Sequence, residues 1–176
     1  MISIIGTVAV RILMAPLLML MVSCSGLRST PEPLSVSEGC ERLKEVIGEY
    51  PDRFASLKKT MKTHYGMHSW RAKLVFPGAK CEIIEWAGGA TSYTCLWKRD
   101  SQVSAQAVYQ KYQPIVERCL GEHWAMNENA TKSGEQTVFS RRGQARVSMR
   151  YFRNRKSWWT SLGVGDVIKN RKAEVK

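Results

Sequence analysis

The chain has 176 residues, and its 27 lysines and arginines against 15 acids give a formal net charge of +12. That length suits one domain with a real core. The excess of positive charge points to acidic partners. Five cysteines occur without any Cys-x-x-Cys spacing and three histidines are scattered, which argues against a zinc site; no serine elbow, metal-binding helix motif or glycine-rich phosphate loop appears either.

The first informative stretch is the apolar run Ile12 to Val22 behind Arg11, ending in Ser23-Cys24. A helix needs ~20 apolar residues to cross a bilayer, so this run is too short. Extending it back to Ile2 would bury Arg11 at a cost of ~2.5–3.5 kcal/mol. One charge, a short apolar core and small residues before a cut are the marks of a secretory signal. Met21-Val22-Ser23-Cys24 resembles the lipobox of bacterial lipoproteins, with Met21 where leucine is usual. The resemblance covers the first two dozen residues only. It implies cleavage of a signal peptide over 1–23 and acylation of Cys24. With Ser25 next, it also implies delivery to the outer membrane, facing the periplasm. Several acyl chains, at ~0.8 kcal/mol per buried methylene, would hold the mature chain on a membrane. Loss of residues 1–23 removes Arg11 and no acid, so the charge falls from +12 to +11.

Residues 24–37 then read as the lipidated cysteine and a flexible, serine- and proline-rich tether. A single domain is expected over 38–165. Its first helix starts with Ser37 as cap and carries Cys40, Leu43, Val46 or Ile47, and Tyr50 on one face. Past Pro51, the spacing of Phe54, Leu57 and Met61 continues a helical stripe toward Gly66. A strand follows around Trp70 to Phe76, closed by Pro77-Gly78. Lys80 to Lys98 reads as a hairpin. A three-residue loop at Ala87-Gly88-Gly89 pairs Trp86 with Ala90, and therefore Ile83 with Tyr93 and Cys81 with Cys95. Directly opposed cysteines are close enough to bridge, so a Cys81–Cys95 disulfide is expected.

Ser101 to Leu120 is a helix candidate with Ser101 as cap and Gly121 past its end. Val108, Tyr112, Ile115 and Cys119 share its apolar face, and Pro114 should kink it. Cys40 and Cys119 thus lie on apolar helix faces that packing would join in a second disulfide. Four cysteines beyond the anchor make an even count, as suits an exported chain. Asn127 to Gly134 reads as a polar loop. Three strands in meander follow, Thr137 to Arg141, Gln144 to Phe152 and Ser157 to Val164, with turns expected at Arg142-Gly143 and near Asn154-Arg155. Two-residue turns would put Val138, Val147, Met149, Tyr151, Trp158, Thr160 and Leu162 on one face. Residues 166–176 read as a loose basic tail. The order of elements, helix and strands followed by helix and strands, predicts an α+β fold of two related halves, a two-layer sandwich of antiparallel strands packed on two helices and stabilised by disulfides.

The candidate site is the other face of the last sheet, expected to carry Phe139, Arg141, Arg146, Arg150, Phe152 and Trp159. From Gln136 to Gly165 the chain has seven positive residues and no acid. Arginine forks bind phosphate and carboxylate, and aromatic rings add stacking or cation–π contact. Exposed arginines can equally serve only to keep a sheet face soluble. The expected function is non-catalytic: a membrane-anchored envelope lipoprotein binding an acidic partner protein or anionic envelope polymer, with no metal, cofactor or nucleic acid. Two alternatives are an envelope hydrolase using His64, His68 or His123 beside carboxylates, and an assembly or immunity-type subunit that recognises one protein.

Overall fold

A computed structural model describes residues 35–166, apart from 65–66 and 132. The expected signal peptide, Cys24, most of the tether and the tail beyond Asp166 lie outside the described residues. No helix among them is long and apolar enough to cross a membrane.

The first helix, α1 (Val36–Gly48), is capped by Ser35, two residues before the expected cap Ser37. Ser35 accepts the Glu38 amide on its hydroxyl while the Glu38 carboxylate takes the Ser35 amide, closing a capping box. That hydrogen-bonded carboxylate is held below its usual pKa, first by the Ser35 hydroxyl and then by its amide. Leu43 and Val46 are the buried residues of α1.

The helical stripe expected around Phe54, Leu57 and Met61 is overturned. Arg53 and Phe54 both adopt positive φ, 55° and 58°, which no helix sustains. Only a single 3-10 turn (Ala55–Leu57) follows, and Lys58–His64 is strand β1. Phe54 and Leu57 still reach the core, while Met61 is exposed. Three more strands continue the unit: β2 (Met67–Ala72), β3 (Lys80–Glu85) and β4 (Thr91–Arg99). β2 ends earlier than expected because the chain from Lys73 to Ala79 leaves the ladder, with Lys73 donating its amide to Leu57.

Helix α2 (Gln102–Leu120) has the expected ends. Ser101 accepts from Ser104 in a capping box, and Gly121 terminates it with its amide bonded to Glu117. Its buried positions are Ala105, Tyr109 and Val116, with Tyr112 and Cys119 half-buried, a face rotated slightly from the expected one. The supposed polar loop at Asn127 to Gly134 is instead strand β5 (Ala125–Thr131) turning into β6 (Gly134–Ser140). Strands β7 (Arg146–Asn154) and β8 (Ser157–Gly165) are the last elements among the described residues.

All eight strands form one antiparallel sheet in the order β1-β2-β3-β4-β8-β7-β6-β5. The order reads the same from either edge: one helix plus four strands, twice, with β4 and β8 meeting at the centre. Both disulfides are present. Cys81 and Cys95 are cross-strand partners with Cα atoms 4.0 Å apart, and Cys40–Cys119 ties the start of α1 to the end of α2 at 5.0 Å. The fold is therefore α+β and disulfide-stabilised.

The helices define which strand positions are core. Thr160 donates to the Ala105 carbonyl, Tyr109 meets Thr137 and Tyr151, and Trp97 stacks on Tyr112 with ring centroids 6.2 Å apart. Ile83, Tyr93, Cys95, Val147, Met149 and Leu162 share that side and are buried. Alternate residues face away from the helices.

Candidate functional site: the strand face opposite the helices

The turn expected near Asn154-Arg155 lies one residue later, at Arg155-Lys156, so β7 and β8 pair two residues out of the expected register while every side chain keeps its expected face. Asn154 opposes Ser157 across Arg155-Lys156, so Phe152 opposes Trp159 and Arg150 opposes Ser161. Val147, Met149 and Tyr151 are buried on the helix side, and Arg146, Ser148, Arg150 and Phe152 alternate with them on the other.

Two expected members of the site lie elsewhere. Phe139 is 1% exposed and belongs to the core. It pairs with Val147, one residue out of step with the register that a two-residue turn at Arg142-Gly143 would impose. A one-residue slip turns every side chain of β6 over, so Phe139 goes in and Val138 goes out. Arg141 is not on the strand face at all. It lies in the β6–β7 turn, where its carbonyl accepts the Gln144 amide. The basic run is thus divided. Arg146 and Arg150 lie on the face, Arg141 and Arg142 at one end of it, and Arg153, Arg155 and Lys156 toward the other.

The face has a shallow trough of ≈ 190 Å³ at the β4–β8–β7 junction. Ser92, Thr94, Ser148, Ser161 and Gly163 make its floor, with Arg146, Arg150, Gln136 and Trp86 around it. Gly163 leaves room for its neighbour: a Cβ there would lie 2.9 Å from the Ser148 hydroxyl, which would have to turn away. Small side chains at every second position let a ligand approach the backbone. Composition-based reading missed these floor residues. Their signal was the small residue at alternate positions 161, 163 and 165.

Arg150 is held in place before any ligand arrives. Its Nε donates to the Ser161 hydroxyl at 3.2 Å, and its guanidinium carbon lies 4.2 Å from the centre of the Phe152 ring. Desolvation against the sheet lowers its pKa, yet guanidinium stays charged at any ordinary pH. Among the described residues, the ion pairs are Lys44–Glu41, Arg53–Glu85, Lys58–Glu85 and Lys62–Glu82, and none uses Arg146 or Arg150. The one carboxylate at the trough, Asp166, has both oxygens engaged, by the Tyr50 hydroxyl at 2.8 Å and the Thr91 amide at 2.9 Å. Trp86 is fixed by its own bond from Nε1 to the Ser92 hydroxyl, 3.3 Å. Arg150's remaining N–H groups can therefore meet an incoming anion, with the Trp86 ring at the trough and the Phe152 ring against the guanidinium.

The histidines are dispersed. His68 is an exposed residue of β2 opposite Glu85, whose carboxylate already pairs with Arg53 and Lys58. His123 is exposed between α2 and β5, and the side chain of His64 lies outside the described residues. Among the described residues no group of three His, Cys, Asp or Glu side chains is placed to hold a metal. Compared with protein-family models, with curated proteins and with solved structures, the chain shows no match.

Proposed function

We propose that this chain is a lipid-anchored protein of the bacterial cell envelope whose domain, a two-layer sandwich, docks an acidic protein or anionic polymer without catalysis. The lipobox-like Met21-Val22-Ser23-Cys24 supports the anchor. The observation that carries the binding role is the pair Arg146 and Arg150, set among aromatic rings on the strand face opposite the helices and lacking a carboxylate partner there. Long-range charge speeds encounter, and the fixed guanidinium gives the contact its geometry.

The test is binding of the purified mature chain to immobilised polyglutamate at several salt concentrations. The double variant Arg146→Ser, Arg150→Ser should bind at least about tenfold more weakly, with a shallower salt dependence. The turn variant Arg153→Ser, Arg155→Ser, with the same loss of charge, should bind only about twofold more weakly. Equal losses in the two variants would reduce the effect to net charge and remove the site. Metabolic labelling with a fatty acid tests the anchor separately: label should enter the parent and not Cys24→Ala.

A further inference from the structure

On the other side of the sheet an apolar slot of ≈ 160 Å³ opens between α1, α2 and the strands. Trp97, Met149 and Leu162 form its floor, all 5% exposed or less, while Leu43 of α1 and Tyr112 and Val116 of α2 form its walls. The Cys40–Cys119 disulfide joins the two helices beside it. Of the described side chains that line the slot, Lys111 alone is charged. It lies exposed on α2, with Nζ 5.4 Å from the centre of the Tyr112 ring.

Gly39 sits in the first turns of α1, where glycine costs a helix roughly 1 kcal/mol relative to alanine. It lines the slot, and a Cβ built on it would meet nothing within 4 Å. Close helix packing therefore does not explain this glycine. Its missing side chain leaves the slot open. Dry cavities of ~150 Å³ lined by aliphatic and aromatic side chains take up a benzene-sized guest. This slot matches that size and lining, and one cation marks its edge.

We propose that the slot binds a single medium-length acyl chain, its tail against Trp97 and its anionic head at Lys111. A free fatty acid and a lipid with one acyl chain and an anionic headgroup share this chemistry. Trp97 and Lys111 supply the reporter and the charge test. The Trp97 indole lines the slot, stacks on Tyr112 and donates from Nε1 to the Pro77 carbonyl at 2.9 Å, so a guest there alters its emission.

The experiment titrates the purified mature chain with octanoate carrying a terminal bromine, which quenches tryptophan emission on contact. Saturable quenching is expected in the parent and in Gly39→Ala, but lost by at least about tenfold in affinity in Gly39→Leu, whose side chain fills the slot. Retained thermal stability of Gly39→Leu shows that the loss is not unfolding. Lys111→Gln should weaken octanoate about threefold and leave uncharged octanol unchanged. Displacement of octanoate by lysophosphatidylglycerol assigns the ligand to lipid, and resistance to displacement assigns it to the free acid. The proposal is overturned by the absence of saturable quenching, by parental quenching in Gly39→Leu, or by undiminished quenching in Trp97→Phe.

Discussion

Phe139 and Arg150 lie on adjacent strands and meet opposite surroundings, and that contrast decides what their substitution does. Phe139 is enclosed on the helix side, so Phe139→Ala should destabilise the domain by ~3–5 kcal/mol in denaturant titrations. Its neighbour Val138, half-exposed on the other face, should cost less than about 1.5 kcal/mol as alanine. The reverse order of effects would mean that β6 pairs in the other register. The alternation of β7 and β8 was legible in the residues although their register was not, because a two-residue turn near Asn154-Arg155 and the actual one at Arg155-Lys156 leave the same inward set. The β6–β7 turn was not. Arg141-Arg142-Gly143-Gln144 suits a two-residue connection by composition, but Phe139 pairing with Val147 adds one residue to it. No local feature of that turn announces the difference. Burial of a phenylalanine in place of a valine decides it, at roughly 25 cal/mol per Å² of apolar surface removed from water.

Elements differ in legibility according to what holds them. The β3–β4 hairpin could be read in detail because its loop length fixed its register, and its two cysteines fell opposite each other. The two disulfides should not contribute equally. Cys40–Cys119 spans 79 residues and Cys81–Cys95 only 14. In the chain-entropy model the first contributes ~4–5 kcal/mol and the second ~3 kcal/mol. Replacing Cys40 and Cys119 by alanine should therefore lower the denaturation midpoint more than removing any entropic constraint of the hairpin. Cys95 is fully buried, so its own replacement adds a cavity cost that a Cys81→Ser, Cys95→Ser pair would mix with loss of the bridge. Comparing each alanine pair with its oxidised and reduced parent separates the two contributions. With the cavity cost at Cys95 set aside by that comparison, a smaller loss of bridge stabilisation for the helix pair than for the hairpin pair would contradict the loop-length argument. β1 and β5 were illegible for a different reason. Both are edge strands with little apolar alternation, Lys-Lys-Thr-Met-Lys-Thr-His in one and Ala-Met-Asn-Glu-Asn-Ala-Thr in the other, and tertiary pairing rather than local pattern makes them strands. In β1 the spacing of Phe54, Leu57 and Met61 also imitated a helix, although two of those residues reach the core from an irregular turn.

At the scale of the molecule, the helix-plus-four-strands unit occurs twice although no repeat is visible in the residues. The constraint is on which positions are apolar, not on which apolar residue fills them. Each half buries tyrosines whose hydroxyls are drawn into polar contacts. Tyr93 donates to the Leu74 carbonyl at 2.9 Å, and burial is the main cause raising its pKa. Tyr50 is raised chiefly by its hydrogen bond to Asp166, while Tyr109 and Tyr151 are raised chiefly by desolvation. In the unfolded chain these phenols lose their protons near pH 10, whereas in the folded chain they keep them to higher pH. Above pH 10 the unfolded state therefore binds fewer protons, and stability falls as pH rises. Below pH 10 both states are protonated, and the contribution is fully present. For Tyr93 alone the slope is ~1.4 kcal/mol per pH unit until its folded pKa is reached. Guanidinium titrations at pH 9, 10 and 11, completed before alkali attacks the disulfides, should show little change over the first interval and a steep loss over the second. In Tyr93→Phe that loss should be shallower, because a phenylalanine has no proton to release from the unfolded state. A flat stability between pH 10 and 11, or a native chain whose phenols all ionise at the ordinary value, would mean that these hydroxyls face water rather than the two halves of the core.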